Sequence, residues 1–228
     1  MPYEKTIICF ANSRRPPHGR CIAGKEVVNG DYGDWIRPVS ARATEEISEE
    51  ERRYENGTDP KVLDIIKIKM LEPRPRTYQS ENHVIDDQYY WERNGMAGWD
   101  DAVNALDDIS GPLWRNIEST QYGINDTVPE EVAHQLSTSL CLIRPNEIEL
   151  HVNREGGDFG PPRRRVRCSF VLNEVSYKFV VTDPIIERHY LAQSNGSYSI
   201  EDAIFCISLS GLFQGHSYKL VAAMIIPT

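Results

Sequence analysis

Along this chain apolar and polar positions alternate with a period of two over several separate stretches, the pattern of half-buried β-strands. Ile66, Ile68 and Met70 alternate with Lys67 and Lys69. The second half holds more such runs: Ile148, Leu150 and Val152; then Val166, Cys168, Phe170 and Leu172; then Val175, Tyr177, Phe179 and Val181. Residues 165–172 and 175–182 read as a β-hairpin turning at Asn173-Glu174, a weaker turn than Asn-Gly. Apolar runs at 203–209 and 217–226 flank Gly211-Leu212-Phe213-Gln214-Gly215. Short strands parted by Gly and Pro turns predict barrels or sandwiches rather than a parallel sheet.

The middle of the chain has a different period. Ser48-Glu49-Glu50-Glu51 is a capping-box pattern. From Trp99 to Ile109, Val103, Leu106 and Ile109 fall at helical spacing, and Pro129-Glu130-Glu131 opens a further short helix. An acidic, mainly helical insert is therefore predicted over 81–137, between β-rich halves at 1–80 and 138–228. A weak echo, Trp35-Ile36-Arg37-Pro38 against Leu142-Ile143-Arg144-Pro145, agrees with that division.

Composition changes the picture mainly through charge. The chain has 228 residues, 40% hydrophobic and 26% charged, ordinary for a globular protein of one large domain or two small ones. No run approaches the roughly 18 apolar residues of a membrane span. The start, Met1 to Lys5 followed by Ile7-Ile8-Cys9-Phe10, is too brief and wrongly flanked for a secretory signal. Five cysteines, at 9, 21, 141, 168 and 206, have neither Cys-x-x-Cys nor metal-site spacing, and they read as reduced core thiols of a cytoplasmic protein. The net charge is −9, yet residues 81–131 alone carry −10, leaving the rest about +1. Within that rest, Arg14, Arg15, Arg20 and Lys25 crowd one early stretch, and Arg163, Arg164, Arg165 and Arg167 a late one. Concentrated arginine in an acidic chain makes phosphate backbones a candidate partner, since the local field matters more than the total.

Several segments together resemble a known family. They are Ile8-Cys9-Phe10-Ala11-Asn12-Ser13-Arg14, Trp35-Ile36-Arg37-Pro38-Val39-Ser40, Val62-Leu63-Asp64-Ile65-Ile66, Val181-Thr182-Asp183-Pro184, Cys206 to Gly211 and Tyr218 to Ala223. The chain is similar over nearly its whole length to bacterial proteins carrying a dual OB-containing domain. That resemblance implies two OB-like Greek-key β-barrels, nucleic-acid binding by analogy, and a setting in bacterial conflict or defence systems. It brings no residue roles with it, and a shared fold does not fix a function.

Each constellation has a functional and a structural reading. OB-folds bind strands with cations on phosphates and aromatics under bases. The candidate nucleic-acid residues are Arg14, Arg15, Arg20, Lys25, Trp35, Arg37, Arg144, Arg163, Arg164, Arg165 and Arg167, with Tyr32, Phe159 and Tyr177 as further stacking candidates. Read structurally, the arginines pair with carboxylates and the aromatics fill the barrels. Arg37 and Arg144 each precede proline, which forces extended backbone, and for these two the structural reading is preferred. Gly156, Gly157 and Gly160 form a flexible loop rather than a P-loop, because no Gly-Lys-Ser/Thr follows. No catalytic or metal-binding motif occurs: the six histidines are scattered and no Gly-x-Ser-x-Gly elbow is present. A hydrolase assembled from Asp64, Asp183 and a histidine stays open, because geometry rather than residue presence defines a site.

The expectation is a mainly β fold with an α insert: OB-like barrels at 1–80 and 138–228 joined by an acidic helical segment at 81–137. The expected function is non-catalytic binding of single-stranded or structured DNA or RNA, with no cofactor and no membrane contact. The alternative is a protein-interaction subunit of a larger bacterial complex, docking a partner through the acidic segment. A nucleotide sensor or hydrolase is the third reading.

Overall fold

Two long antiparallel ladders at the start of the chain come from a single strand, β1 (Tyr3–Arg15), whose thirteen residues are enough to pair on both sides. The structure, a computed structural model, describes residues 2–15, 19–115, 118–156 and 161–227. The chain divides into two compact bodies, Met1–Ala105 with Ser137–Ser139, and Leu106–Leu136 with Leu140–Thr228.

In the first body β1 is followed by β2 (Gly19–Val28), β3 (Asp31–Val39), α1 (Glu49–Arg52), β4 (Asp64–Pro73), β5 (Asn82–Ile85), β6 (Glu92–Met96) and α2 (Trp99–Asn104). β1 pairs antiparallel with β2 and β4, β2 with β3, and β4 with β5, while β3 and β5 run parallel. The circuit β1-β2-β3-β5-β4 closes on β1, the Greek-key barrel expected of an OB fold. A register shift at Cys9/Ala11 lets β1 bend as it passes from one partner to the other. There β2 crosses so closely that a Cβ on Gly24 would lie 2.1 Å from the Ile8 carbonyl oxygen. Only glycine fits that position. The alternation at Ile66, Ile68 and Met70 sends all three into a core with Ile7, Ile22, Ile36 and Trp91. The capping box forms as its residues predict: Ser48 Oγ accepts from the Glu51 backbone N–H while the Glu51 carboxylate accepts from the Ser48 N–H.

The second body contains β7 (Thr127–Pro129), α3 (Glu130–Ala133), β8 (Leu140–Ile143), β9 (Asn146–Glu155), β10 (Arg163–Leu172), β11 (Val175–Val181), α4 (Pro184–Leu191), β12 (Gly196–Ile200), β13 (Ile204–Leu209) and β14 (His216–Ile225). β9, β10 and β11 pair in sequence, β11 runs parallel to β14, β14 pairs with β13, and β12 returns to β9. Only Glu201–Ala203 separates β12 from β13, so the two together take the place of a fourth strand, and the strand order of the first body recurs. α4 lies between the third and fourth strands of this barrel, as α1 does in the first. The β10–β11 hairpin turns at Asn173 and Glu174, both with positive φ (50° and 64°), as a primed turn requires. Its rings Phe170, Tyr177 and Phe179 pack with Phe205 of β13 at 5.2–5.4 Å. Where β11 and β14 diverge, β7 pairs with β14 and Ile124 bridges to Lys178, filling the wall between them.

The acidic segment 81–137 is not a body of its own. Its first part supplies β5, β6 and α2 to the first barrel, and Trp91 is 2% exposed in that core. Its second part supplies β7 and α3 to the other body, where Leu113 is buried and Trp114 packs against the core. The helix expected from Trp99 to Ile109 stops at Asn104. Asp107 instead pairs with Leu142, backbone N–H to carbonyl at 2.9 Å and Leu142 N–H to its carboxylate at 2.7 Å. The Arg37/Arg144 echo is not a topological repeat either: Arg37 lies in β3 of the barrel circuit, whereas Arg144 follows β8, a strand added outside it.

Candidate nucleic-acid interface

In an OB barrel the binding surface is the face of strands two and three with the loops joining strands one to two and four to five. In the first body those loops follow β1 and β4. Arg14 and Arg20 face each other across the β1–β2 pair, with Arg15 beside Gly19. Arg20 also pairs through its backbone with Ile47, at 2.9 and 3.1 Å, which brings Glu45 and Glu46 to this end of the barrel. Glu45 in turn receives Arg76 at 2.7 Å from the loop after β4, and Arg42 donates to the Glu46 carbonyl and to Glu51. Arg74 in the same loop reaches Glu72 at 3.1 Å. Arg14, Arg15 and Arg20 thus share one end of the barrel with Arg42 and Arg76. The last two, with Arg74, were not singled out from the sequence, although Pro73-Arg74-Pro75-Arg76 directly after a predicted strand was a visible signal.

Two of the candidate residues in this body are turned to internal work. Lys25 is 7% exposed: its Nζ donates to the Ala105 carbonyl at 2.7 Å and lies 5.6 Å above the Trp35 ring, its register partner. Trp35 itself is half-buried edge-on to Phe10. Arg37 is 3% exposed and holds Glu81 at 3.1 Å and Ser139 Oγ at 2.8 Å, while Ser139 donates to Glu81. A cation sealed among such partners has no phosphate-facing side, so Lys25 and Arg37 leave the candidate interface. Tyr32 donates to Asp101 at 3.2 Å.

In the second body the late arginine cluster splits by position along β10, burial rising from Arg163 to Arg167. Arg167 is buried on β10 between Glu155 at 2.7 Å and Asp126 at 3.2 Å. Asp126 also accepts from the Thr120 N–H and hydroxyl at 2.7 and 2.6 Å. Arg167 therefore leaves the interface too, because its charge is consumed in tying the root of the β9–β10 loop to the wedge beside β14. Arg164 bonds the end of α4, donating to the carbonyls of Leu191 and Gln193 at 2.8 and 2.6 Å and to Asn195 Oδ1 at 2.9 Å. Arg165 lies 3.8 Å from Glu155, and Arg163 is exposed at the strand's start. Arg144 forms a two-pronged pair with Asp202 at 2.9 and 2.5 Å, which holds both its pKa up and that of Asp202 down.

Among the aromatics, Tyr177 is fully buried, stacks on Phe170 and accepts from the Leu113 N–H at 2.8 Å, so it is core and not a stacking platform. Phe159, with Gly157 and Gly160, lies outside the described residues. The loop between β13 and β14 presents an aromatic that the sequence read only as part of a turn: Phe213 is 62% exposed beside Leu212. Its base is tied by Phe213–His216 backbone pairing and by His216 Nε2 on Glu118 at 2.8 Å. The Gln214 carbonyl first, and Glu118 second, push the His216 pKa up.

The residues considered for catalysis have local structural partners. Asp64 accepts from Tyr54 Oη, the Lys61 N–H and Arg93, at 2.9, 2.9 and 2.6 Å. Asp183 caps α4 and also accepts from the Met224 N–H. The two lie in different bodies. Among the described residues no group of three His, Cys, Asp or Glu could hold a metal, no disulfide joins any of the five cysteines, and no helix is long and apolar enough to cross a membrane. Burial pushes the Cys9 thiol up to about 12.

Against known families, residues 5–224 match the dual OB-containing domain. No curated protein and no solved structure matches the chain. With the same order of strands in both bodies and a match spanning nearly every residue, the chain belongs to the dual OB-containing domain family.

Proposed function

We propose that this chain binds nucleic acid, single-stranded or structured DNA or RNA, without sharp sequence specificity and without a reaction of its own. The observation that carries the reading is the strand order shared by both bodies, because the strand-two/three face with its two flanking loops is where OB barrels hold oligonucleotides. Arg14, Arg15, Arg20, Arg42 and Arg76 gather at that loop end of the first barrel. Arg163, Arg165 and Phe213 supply cations and an exposed ring from the corresponding strand and loops of the second. Guanidinium on phosphate and ring on base are the two contacts that non-specific single-strand binding uses. The family resemblance adds a setting in bacterial conflict or defence, which is part of the same proposal.

The direct test compares variants by fluorescence anisotropy with single-stranded DNA and RNA. Replacing Arg14, Arg15 and Arg20 together by Ala, or Arg163 and Arg165 together, is expected to weaken binding for every sequence alike. Replacing Phe213 by Ala is expected to cost about 1–3 kcal/mol, the worth of one stacked base. Unchanged affinity in all three variants would remove these loop ends from the interface.

A further inference from the structure

The fifth strand of the first barrel is broken, and the break leaves a feature that nucleic-acid binding does not use. β5 and β6 both run antiparallel to β4, separated by the turn at Asp86–Tyr89. β3 runs beside β5 over Asn82–Val84 only. β6 is thus the end of the sheet path, and among the described residues no strand pairs with its outer edge. All five of its residues are exposed, so neither face of the strand contributes to the core. Among the described residues of this body five large hydrophobic side chains are exposed, and three of them lie within eight residues here: Tyr89 at 54%, Tyr90 at 51% and Met96 at 69%.

The surrounding charge is mainly acidic. Asp86, Asp87, Glu92, Asp100 and Asp101 lie in or beside the strand in sequence, and three cations meet them: Arg93, spent on Asp64 at 2.6 Å; Lys67, 3.4 Å from Glu92; and Arg53, 5.8 Å over the Tyr90 ring. Phosphate would be repelled from such a surface. An open strand edge offers unpaired backbone N–H and C=O groups, exposed rings and methionine offer apolar contact, and the carboxylates select for cations. A solitary edge can instead be guarded by charge and a bulge, and Glu92, Arg93 and the register shift at Ile65/Ile66 are devices of that kind. Arg53 over the Tyr90 ring occupies one face of that tyrosine, but neither it nor guarding accounts for the exposed Tyr89 and Met96 at the same place.

We propose that β6 is a docking edge for an extended, lysine- or arginine-rich segment of a partner protein, added as a further strand with its cations over the bordering carboxylates. This interface is independent of the nucleic-acid reading and lies on different residues. Its discriminating position is Asn94. Arg93 pairs with Ile66 and Gly95 with Ile65, so Asn94 is the extra residue of a bulge and makes no ladder contact with β4. Proline is tolerated at bulges and removes one N–H.

The test uses the full chain and a labelled synthetic peptide of about eight residues alternating Lys and Val, the length one added strand requires, with a Glu–Val peptide as control. Wild type is expected to bind the Lys–Val peptide at low salt and not the Glu–Val peptide. Asn94→Pro and the double change Tyr89→Ser with Tyr90→Ser are each expected to weaken binding by about tenfold or more, while single-stranded DNA affinity stays as in wild type. If Asn94→Pro fails to fold, the tyrosine variant decides alone. No binding of the Lys–Val peptide, equal binding of both peptides, or undiminished binding by the folded variants would each overturn the proposal.

Discussion

Arg167 and Lys219 are the buried cations of the second body, and each is expected to report its surroundings differently. Arg167 is held between two carboxylates that are themselves buried, so Arg167→Ala leaves Glu155 with only the more distant Arg165 at 3.8 Å and Asp126 with its Thr120 hydrogen bonds and the charge of Lys219. The expected loss is about 3–5 kcal/mol in urea denaturation, the usual cost of breaking a buried pair from one side. A loss under about 1 kcal/mol would mean that water already reaches the pair. Lys219 is 1% exposed; its Nζ reaches the Arg115 carbonyl at 3.3 Å and lies 5.7 Å over the Tyr177 ring. Burial lowers its pKa to about 8, only partly offset by Asp126 and then Cys141. The unfolded chain binds this proton up to the ordinary lysine value, so between about pH 8 and 10 the unfolded state holds more protons than the folded one. Stability contributed by this site therefore rises with pH across that window, by an amount on the order of 3 kcal/mol at most. Lys219→Met is expected to abolish the rise and to stabilise the protein at neutral pH, read from urea midpoints at pH 7 and pH 9.5. A wild-type profile identical to that of the variant would place Lys219 in contact with water.

α4 illustrates how a local element depends on a distant side chain. Asp183 caps its start and Pro184 follows, a start that went unread in the sequence, and none of its residues is fully buried. Its end is held by Arg164, through two carbonyls and Asn195. Arg164→Ala is expected to cost about 1–2 kcal/mol and to speed amide exchange over 188–193 while leaving β10 unchanged. Equal protection in both proteins would show that Ile186, Tyr190 and Leu191 suffice to hold the helix. The elements legible in the sequence are those whose pattern is local. β4, β9, β10 and β11 announce themselves by alternation, β13 and β14 as apolar runs, and α1 by its capping box. β5 and β6 do not, since Asn82-His83-Val84-Ile85 and Glu92-Arg93-Asn94-Gly95-Met96 carry no sustained period of two; their ladders with β4 define them as strands. The same locality limited the site. The arginine clusters were visible, but the partners that bury Arg37 and Arg167 come from residues 12 to 102 positions away. Charge counting sees the cation and misses the carboxylate folded against it.

For the molecule as a whole, the excess of acid is spread across both bodies rather than gathered in a separate insert, while Arg14, Arg15, Arg20, Arg42 and Arg76 share one end of the first barrel and Arg163 and Arg165 open β10 of the second. The acidic excess repels phosphate at long range and the loop ends attract it at contact, so binding is expected to depend steeply on salt. The most direct test is the equilibrium affinity for a random-sequence single strand of roughly 20 nucleotides, long enough for two barrels, measured from about 20 to about 300 mM salt. The account predicts measurable binding at low salt, with log K falling linearly against log salt at about 0.7 per phosphate contact. It predicts a shallower slope once Arg14, Arg15 and Arg20 are replaced by Ala. Absence of binding to DNA and RNA at the lowest salt, or an affinity indifferent to salt, would contradict it.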